Sequence, residues 1–164
     1  MNMIEPFLIE YTHECAQTRR TIERVPEGVF GWQPHQKSFT IGKLASHLAE
    51  NPIWARITLE QDVLELPGSY VPFVAKTHEE LMGAFDQNVR DATAILKNAT
   101  NELLISNWTM KMNGQIVLEM PRMAVLKTFV LNHTIHHRGQ LTVYLRLLDL
   151  PVPALYGPSA DEQG

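Results

Sequence analysis

The chain of 164 residues has a single cysteine, Cys15. One cysteine excludes an internal disulfide and any cysteine-based zinc site. Positive charge is also short. Fourteen Lys and Arg stand against 18 Asp and Glu, a formal net charge of −4, so the basic face of a nucleic-acid binder is missing. No apolar run approaches the roughly 18 residues that span a bilayer, so no membrane partner is expected. The opening MNMIEPFLIEYTHECAQ has no basic leader and no small-residue cleavage site, which argues against a signal peptide and for a cytoplasmic location. Repeats, low-complexity blocks and linkers are absent too. Residues 1–164 therefore read as one domain, with the 45% hydrophobic and 20% charged content of a chain that buries a real core.

Four stretches carry helical periodicity. Ile4, Leu8, Tyr11, Cys15, Thr18 and Ile22 recur every three or four residues, which makes one apolar stripe. Cys15 lies in that stripe and reads as a small core residue. Residues 25–39, with two Pro and two Gly, form a loop. A second helix starts behind Thr40 as N-cap, with Leu44 and Leu48 inward, and Pro52 should kink or break it. LPGSYVP, residues 66–72, then returns to loop. Thr77 and Glu80 form a capping box for a third helix bearing Leu81, Phe85, Ala92 and Ile95. Asn113-Gly114, between two short apolar stretches, predicts a small β-hairpin, because both residues tolerate positive φ. Pro121 suits the first turn of a long last helix over 121–148. These elements predict an all-α four-helix bundle with a small hairpin before the last helix.

Histidine is concentrated rather than scarce. LNHTIHHRGQ, residues 131–140, holds three of the seven histidines. His133 and His137 lie one turn apart on the inner line that runs through Leu126, Val130 and Tyr144. An imidazole on an apolar stripe needs a partner for each ring nitrogen. Two at i and i+4 can converge on one ion, and a third ligand then comes from another helix. His47, beside Leu48 on the second helix, is the candidate. His13, His35 and His78 fall on a helix flank, a loop and an exposed first turn. His136 sits about 100° round from His137 and reads as a surface residue or an outer support of the site. HTIHH lacks the Glu that a zincin protease uses as base, and the chain lacks the H-x-E and P-C-x-x-C elements of zinc deaminases. Glu50, one turn after His47, reads as a solvated glutamate or a support or base for the site.

NHTIHHRGQLTVYLRLLDLPVP resembles the C-terminal signature of the DinB/YfiT-like superfamily, and SHLAE is similar to that family's first-ligand segment. The lead-in GWQPHQKSFTIGKLASH, the hairpin and the tail ALYGPSADE match as well. The likeness covers nearly the whole chain, and His133-x-x-x-His137-Arg138-Gly139-Gln140 is its most specific motif. It implies an up-down-down-up four-helix bundle, usually a homodimer. It also implies one divalent metal, nickel, zinc or iron, held by His47, His133 and His137. Some relatives carry Glu where this chain has His133. Characterised relatives include thiol-dependent S-transferases and a mycothiol-dependent isomerase.

Two functions follow. One is a metal-dependent enzyme of thiol-dependent S-transferase or hydrolase type, with a small-molecule substrate and a low-molecular-weight thiol as partner. The other is a non-catalytic metal or small-molecule binding protein of stress response. An enzyme needs an open position reachable from solvent. Trp54 and Tyr144, two turns from His47 and His137, are expected to line its pocket, with the tail around Tyr156 over the mouth. Apolar residues off the main stripes, Phe7, Phe129 and Val143, are expected at a dimer face. Arg138 is expected to point away from the metal toward a carboxylate. Gly139 is expected at a close helix approach or beside a crowded neighbour.

Overall fold

The computed structural model describes residues 2–66 and 71–163. The chain is mostly helical, as expected, with a small three-stranded sheet where a two-stranded hairpin was expected. Helix α1 spans Ile4–Ile22, α2 Ile41–Glu50, α3 Ile53–Glu60, α4 His78–Leu96 and the short α5 Asn101–Ile105. The long last helix has three parts: α6 over Arg122–Val125, a π-helical segment over Leu126–Asn132 and α7 over His133–Leu147. Strands β1 (Val63–Leu66), β2 (Asn107–Met112) and β3 (Gln115–Pro121) form the sheet. Most of the loop expected at 66–72 falls on residues 67–70, outside the described residues.

Local chemistry accounts for the helix ends. Thr40 Oγ1 accepts from Lys43 N at 3.2 Å to open α2. Thr77 Oγ1 accepts from Glu80 N at 3.1 Å, while the Glu80 carboxylate reaches back to Lys76 N at 2.7 Å. Pro52 separates α2 from α3. It has no amide hydrogen, and the hydrogen bonds tighten there, with Trp54 N on Asn51 O at 3.1 Å and Ala55 N on Pro52 O at 3.1 Å.

The expected hairpin is two strands of a larger sheet. β2 and β3 pair antiparallel around Asn113 (φ 52°) and Gly114 (φ 74°). β1 joins β2 in parallel, Val63 opposite Thr109 and Leu66 opposite Met112. Four residues of alternating exposure are too few for a period-2 signal to stand out beside a strong helical one. Buried Arg122 anchors this sheet to the helices. Its guanidinium donates to Thr58 O at 2.9 Å, Asn107 O at 2.8 Å and Ser106 Oγ at 2.5 Å, and it pairs with Asp62.

The core lies where α1 and α2 each pack on α4 and α7, with α3 against α4 and the π segment. Leu44, Leu48, Leu81, Leu96, Leu126 and Leu141 are fully buried there, each contributing about 1.5–3 kcal/mol of burial. Phe7 belongs to this core and not to an outer face, because Phe7 and Tyr11 stack inward with ring centroids 6.1 Å apart. Phe129 is half-buried and stacks on Trp54 at 6.2 Å. Of the three residues assigned to a second apolar face, Val143 alone is exposed.

Arg138 enters the core as an ion pair. It is 1% exposed and donates to Glu14 Oε2 at 2.5 Å, Glu14 O at 3.0 Å and Thr18 Oγ1 at 3.2 Å. Tyr156 completes the cluster, its hydroxyl donating to Glu14 Oε2 at 2.6 Å. The tail is fixed on α1, where Arg20 holds Ala154 O at 2.7 Å and Glu162 Oε2 at 2.5 Å. Gly139 faces open space, for a Cβ there would meet nothing within 4 Å. The close approach is at Gly42, where a Cβ would lie 2.8 Å from Phe30 Cβ and 2.9 Å from Phe30 O.

Candidate metal centre

His47, three residues before the end of α2, meets His133 and His137 of α7. Their candidate ligand atoms all lie within 4.8 Å of one another. His47 Nε2 is 2.8 Å from His133 Nε2. Ring centroids are 5.0 Å apart for His47 and His133, 4.8 Å for His47 and His137, and 4.5 Å for His133 and His137. Two imidazole lone pairs facing at such a distance repel unless a proton or a cation lies between them.

The surroundings keep the cluster uncharged. Burial, then the neighbouring His137 and His47, push His133 down to about 4. Burial and His137 lower His47, with Glu50 pulling the other way. Burial also lowers His137, opposed by its hydrogen bond to Gln140. Gln140 Oε1 accepts from His137 Nδ1 at 2.7 Å, which leaves Nε2 with its lone pair. Three neutral imidazoles are a donor set for zinc, nickel or iron. Nitrogens around a tetrahedral ion sit about 3.4 Å apart, so a cluster spanning 4.8 Å fits an ion after small rotations.

Two devices aim the histidines. The first is the π segment, which ends at Asn132, just before His133. It shifts the phase of the last helix, so the buried line of α7 is Thr134, Arg138, Leu141 and Leu145. His133, His137 and Tyr144 lie half-buried on its flank, not at its centre as an unbroken period implies. The second is Asn51, 2% exposed. Its amide nitrogen donates to Val130 O at 2.8 Å and to Thr134 Oγ1 at 2.6 Å. One side chain at the end of α2 thus grips both sides of His133. Sequence reasoning missed Asn51, although its spacing of four from His47 was a usable signal.

A cavity of about 180 Å³ opens beside His47, lined also by Phe39, Lys43, Glu50, Trp54 and Phe73. Trp54 is thus on the cavity. Tyr144 is not among the residues that line it, and packs edge-on against Trp32 at 5.7 Å. No tail residue lines the cavity either, so the expected cover by Tyr156 is replaced by its contact with Glu14 and Arg138. His136 is exposed, its ring 4.9 Å from that of His137. His78 is half-buried rather than solvated, its Nδ1 3.0 Å from Val25 O. Among the described residues no other group of His, Cys, Asp and Glu has metal-site spacing. No helix among them is long and apolar enough to cross a membrane.

Comparison with known proteins agrees with this architecture. The DinB family model matches residues 4–163. Protein YrdA of Bacillus subtilis strain 168 is 24% identical over 163 residues, covering 97% of this chain and 91% of the relative. Among solved structures, a DinB-like protein of Bacillus cereus ATCC 10987 superposes with a TM-score of 0.72 at 23% identity, covering 93% of this chain and 97% of that one. A DinB-like protein of Bacillus subtilis, YjoA, gives 0.69 at 18% identity, covering 98% and 100%.

Proposed function

The chain belongs to the DinB family, and on that premise we propose that it is a metal-dependent enzyme of thiol-dependent S-transferase or hydrolase type. His47, His133 and His137 hold one divalent ion, nickel, zinc or iron. The observation that carries this reading is that the three-histidine cluster borders a cavity, with His47 common to both. A sealed cluster would suit storage or structure, whereas a cluster beside a cavity suits a reaction.

The chain's own residues prepare the site. Gln140 sets the tautomer of His137. Burial keeps the imidazoles neutral, so their lone pairs are available at pH 7. Trp54, Phe39 and Phe73 give the cavity apolar walls that exclude water from a bound organic molecule. When bound, a divalent ion supplies positive charge that lowers the pKa of a water or thiol reaching it. The packing of α1 and α2 on both α4 and α7 supports a four-helix bundle of up-down-down-up order. The protein works in the cytoplasm as a homodimer in this reading. Exposed Ile9 on α1 and Val143 and Leu147 on α7 support a partner face.

The test is elemental analysis of untagged protein, followed by screening with thiols and electrophiles. One ion per chain is expected, and less than a tenth of it in His47→Ala, His133→Ala or His137→Ala. Full occupancy in any of the three removes that residue from the site. Metal at full occupancy with no turnover across the screen would favour the non-catalytic binding protein of stress response.

A further inference from the structure

The cavity beside His47 has polarity of its own. Lys43, His47, Glu50 and Trp54 are spaced by four, three and four residues through α2 into α3, and all four line it. Seven residues of helix set Lys43 and Glu50 about 10.5 Å apart along the axis, with His47 between them. The two charged ends differ in what they are already doing. Glu50 Oε1 accepts from Phe73 N at 3.5 Å, and Ser46 Oγ accepts from Ala75 N at 2.9 Å. These bonds fasten residues 73–75 to α2 as the outer wall, so the Glu50 carboxylate is engaged in the wall. Lys43 forms no ion pair among the described residues. Its ammonium lies over the Phe39 ring, 5.2 Å from the centroid, at the other end of the cavity.

We propose that this cavity binds a small carboxylate with an apolar body, its carboxylate on Lys43 and its body between Phe39, Trp54 and Phe73. A cation already resting on an aromatic face is held in place without neutralisation, so an incoming carboxylate gains an ion pair without breaking one. The walls are aromatic, and Trp54 is held rigid by stacking on Phe129 at 6.2 Å and by the edge of Trp108 at 6.3 Å. About 180 Å³ is below the roughly 300–1,000 Å³ of a drug-sized pocket, which restricts the ligand to a small molecule. The inference rests on the enzyme reading for one point only, that the ligand's reacting end turns toward the histidines.

Titration calorimetry of the full chain with 3-phenylpropionate, its neutral amide 3-phenylpropanamide and the cation phenethylamine tests it. The acid is expected to bind about five-fold more tightly than the amide, the size of one exposed ion pair. Lys43→Gln should abolish that preference, and Lys43→Glu should transfer it to the amine. Both should keep the melting temperature of the parent, since Lys43 is exposed. Repeating the series on metal-stripped protein and on His137→Ala separates the two readings. A preference for the acid that survives there but needs Lys43 upholds this proposal even if no metal reaches the histidines. Equal affinity for acid and amide, a preference for the amine, an acid preference unchanged in Lys43→Gln, or no binding of the acid at 10 mM would each overturn it.

Discussion

Replacing Asn51 by Ala removes two hydrogen bonds from the joint between α2 and the last helix, at 2.8 Å to Val130 O and 2.6 Å to Thr134 Oγ1. Both are buried and neutral, worth about 1 kcal/mol each, so stability should fall by about 2 kcal/mol. For a chain of this size that is about 4–8 °C of melting temperature. The metal affinity should fall further than stability explains. Asn51 spans His133, holding the carbonyl three residues before it and the hydroxyl one residue after, and it leaves α2 four residues beyond His47. Its loss frees the two ligand-bearing helices to slide, and supports of this kind are worth about ten- to a hundred-fold in affinity. Zinc competition against a chromophoric chelator measures this. Asn88→Ala is the control, because Asn88 also donates to α2, on Ala49 O at 2.9 Å, but from α4, which bears none of the three histidines. If Asn51→Ala loses no more zinc affinity than Asn88→Ala, to within about two-fold, the reasoning fails.

Arg138→Met should destabilise by about 3–5 kcal/mol by stranding buried Glu14, and Glu14→Leu added to it should recover most of the loss, as urea unfolding would show. A double variant as unstable as the single one would show that the loss does not come from an unpaired Glu14. Burial pushes the Cys15 thiol up to about 12, so the native protein should resist a disulfide-exchange reagent at pH 8 and react only once unfolded; rapid native labelling would contradict that. Gly42→Ala should destabilise by about 1–3 kcal/mol against Phe30, while Gly139→Ala, open on all sides, should stabilise by about 1 kcal/mol. Thermal melts that reversed this order would undo both arguments. Light scattering at micromolar concentration should give twice 18.7 kDa, and a monomer mass would refute the dimer.

The helix starts were legible because Thr40 and Thr77 act through short-range side-chain to backbone bonds that depend on spacing alone. The pair His133 and His137 was legible for the same reason within α7, where four residues make about one turn. His47 was found from its neighbours Leu44 and Leu48. What escaped was tertiary. β1 exists because β2 offers it an edge, and Phe7 is buried because α4 and α7 cover it, neither of which a local pattern records. Arg138 could be seen to need a carboxylate, but that Glu14 would bring it to the core centre depended on a residue 124 positions away. Gly139 was assigned a close approach that belongs to Gly42, since an unfavourable helix residue signals that something is special without saying what.

The π segment has a consequence for how such a protein can change. Seven residues of wider turn advance α7 against α6 by about one residue of rotation, roughly 100°. Arg122, pinned by Thr58 O, Gln61 O, Asn107 O, Ser106 Oγ and Asp62, fixes the phase at one end, and Asn51 fixes it at the other. The direction in which His133 and His137 point is therefore encoded in the number of residues between Arg122 and His133, and not only in what those residues are. Deleting one of them would restore an ordinary helix and turn both imidazoles away from His47, or tear one of the two anchors. Exposed Lys127 and Thr128 can be exchanged there, while buried Leu126, Val130 and Leu131 and the length of the stretch are under constraint. An insertion or deletion in this stretch would misdirect the two histidines even if every buried side chain were kept.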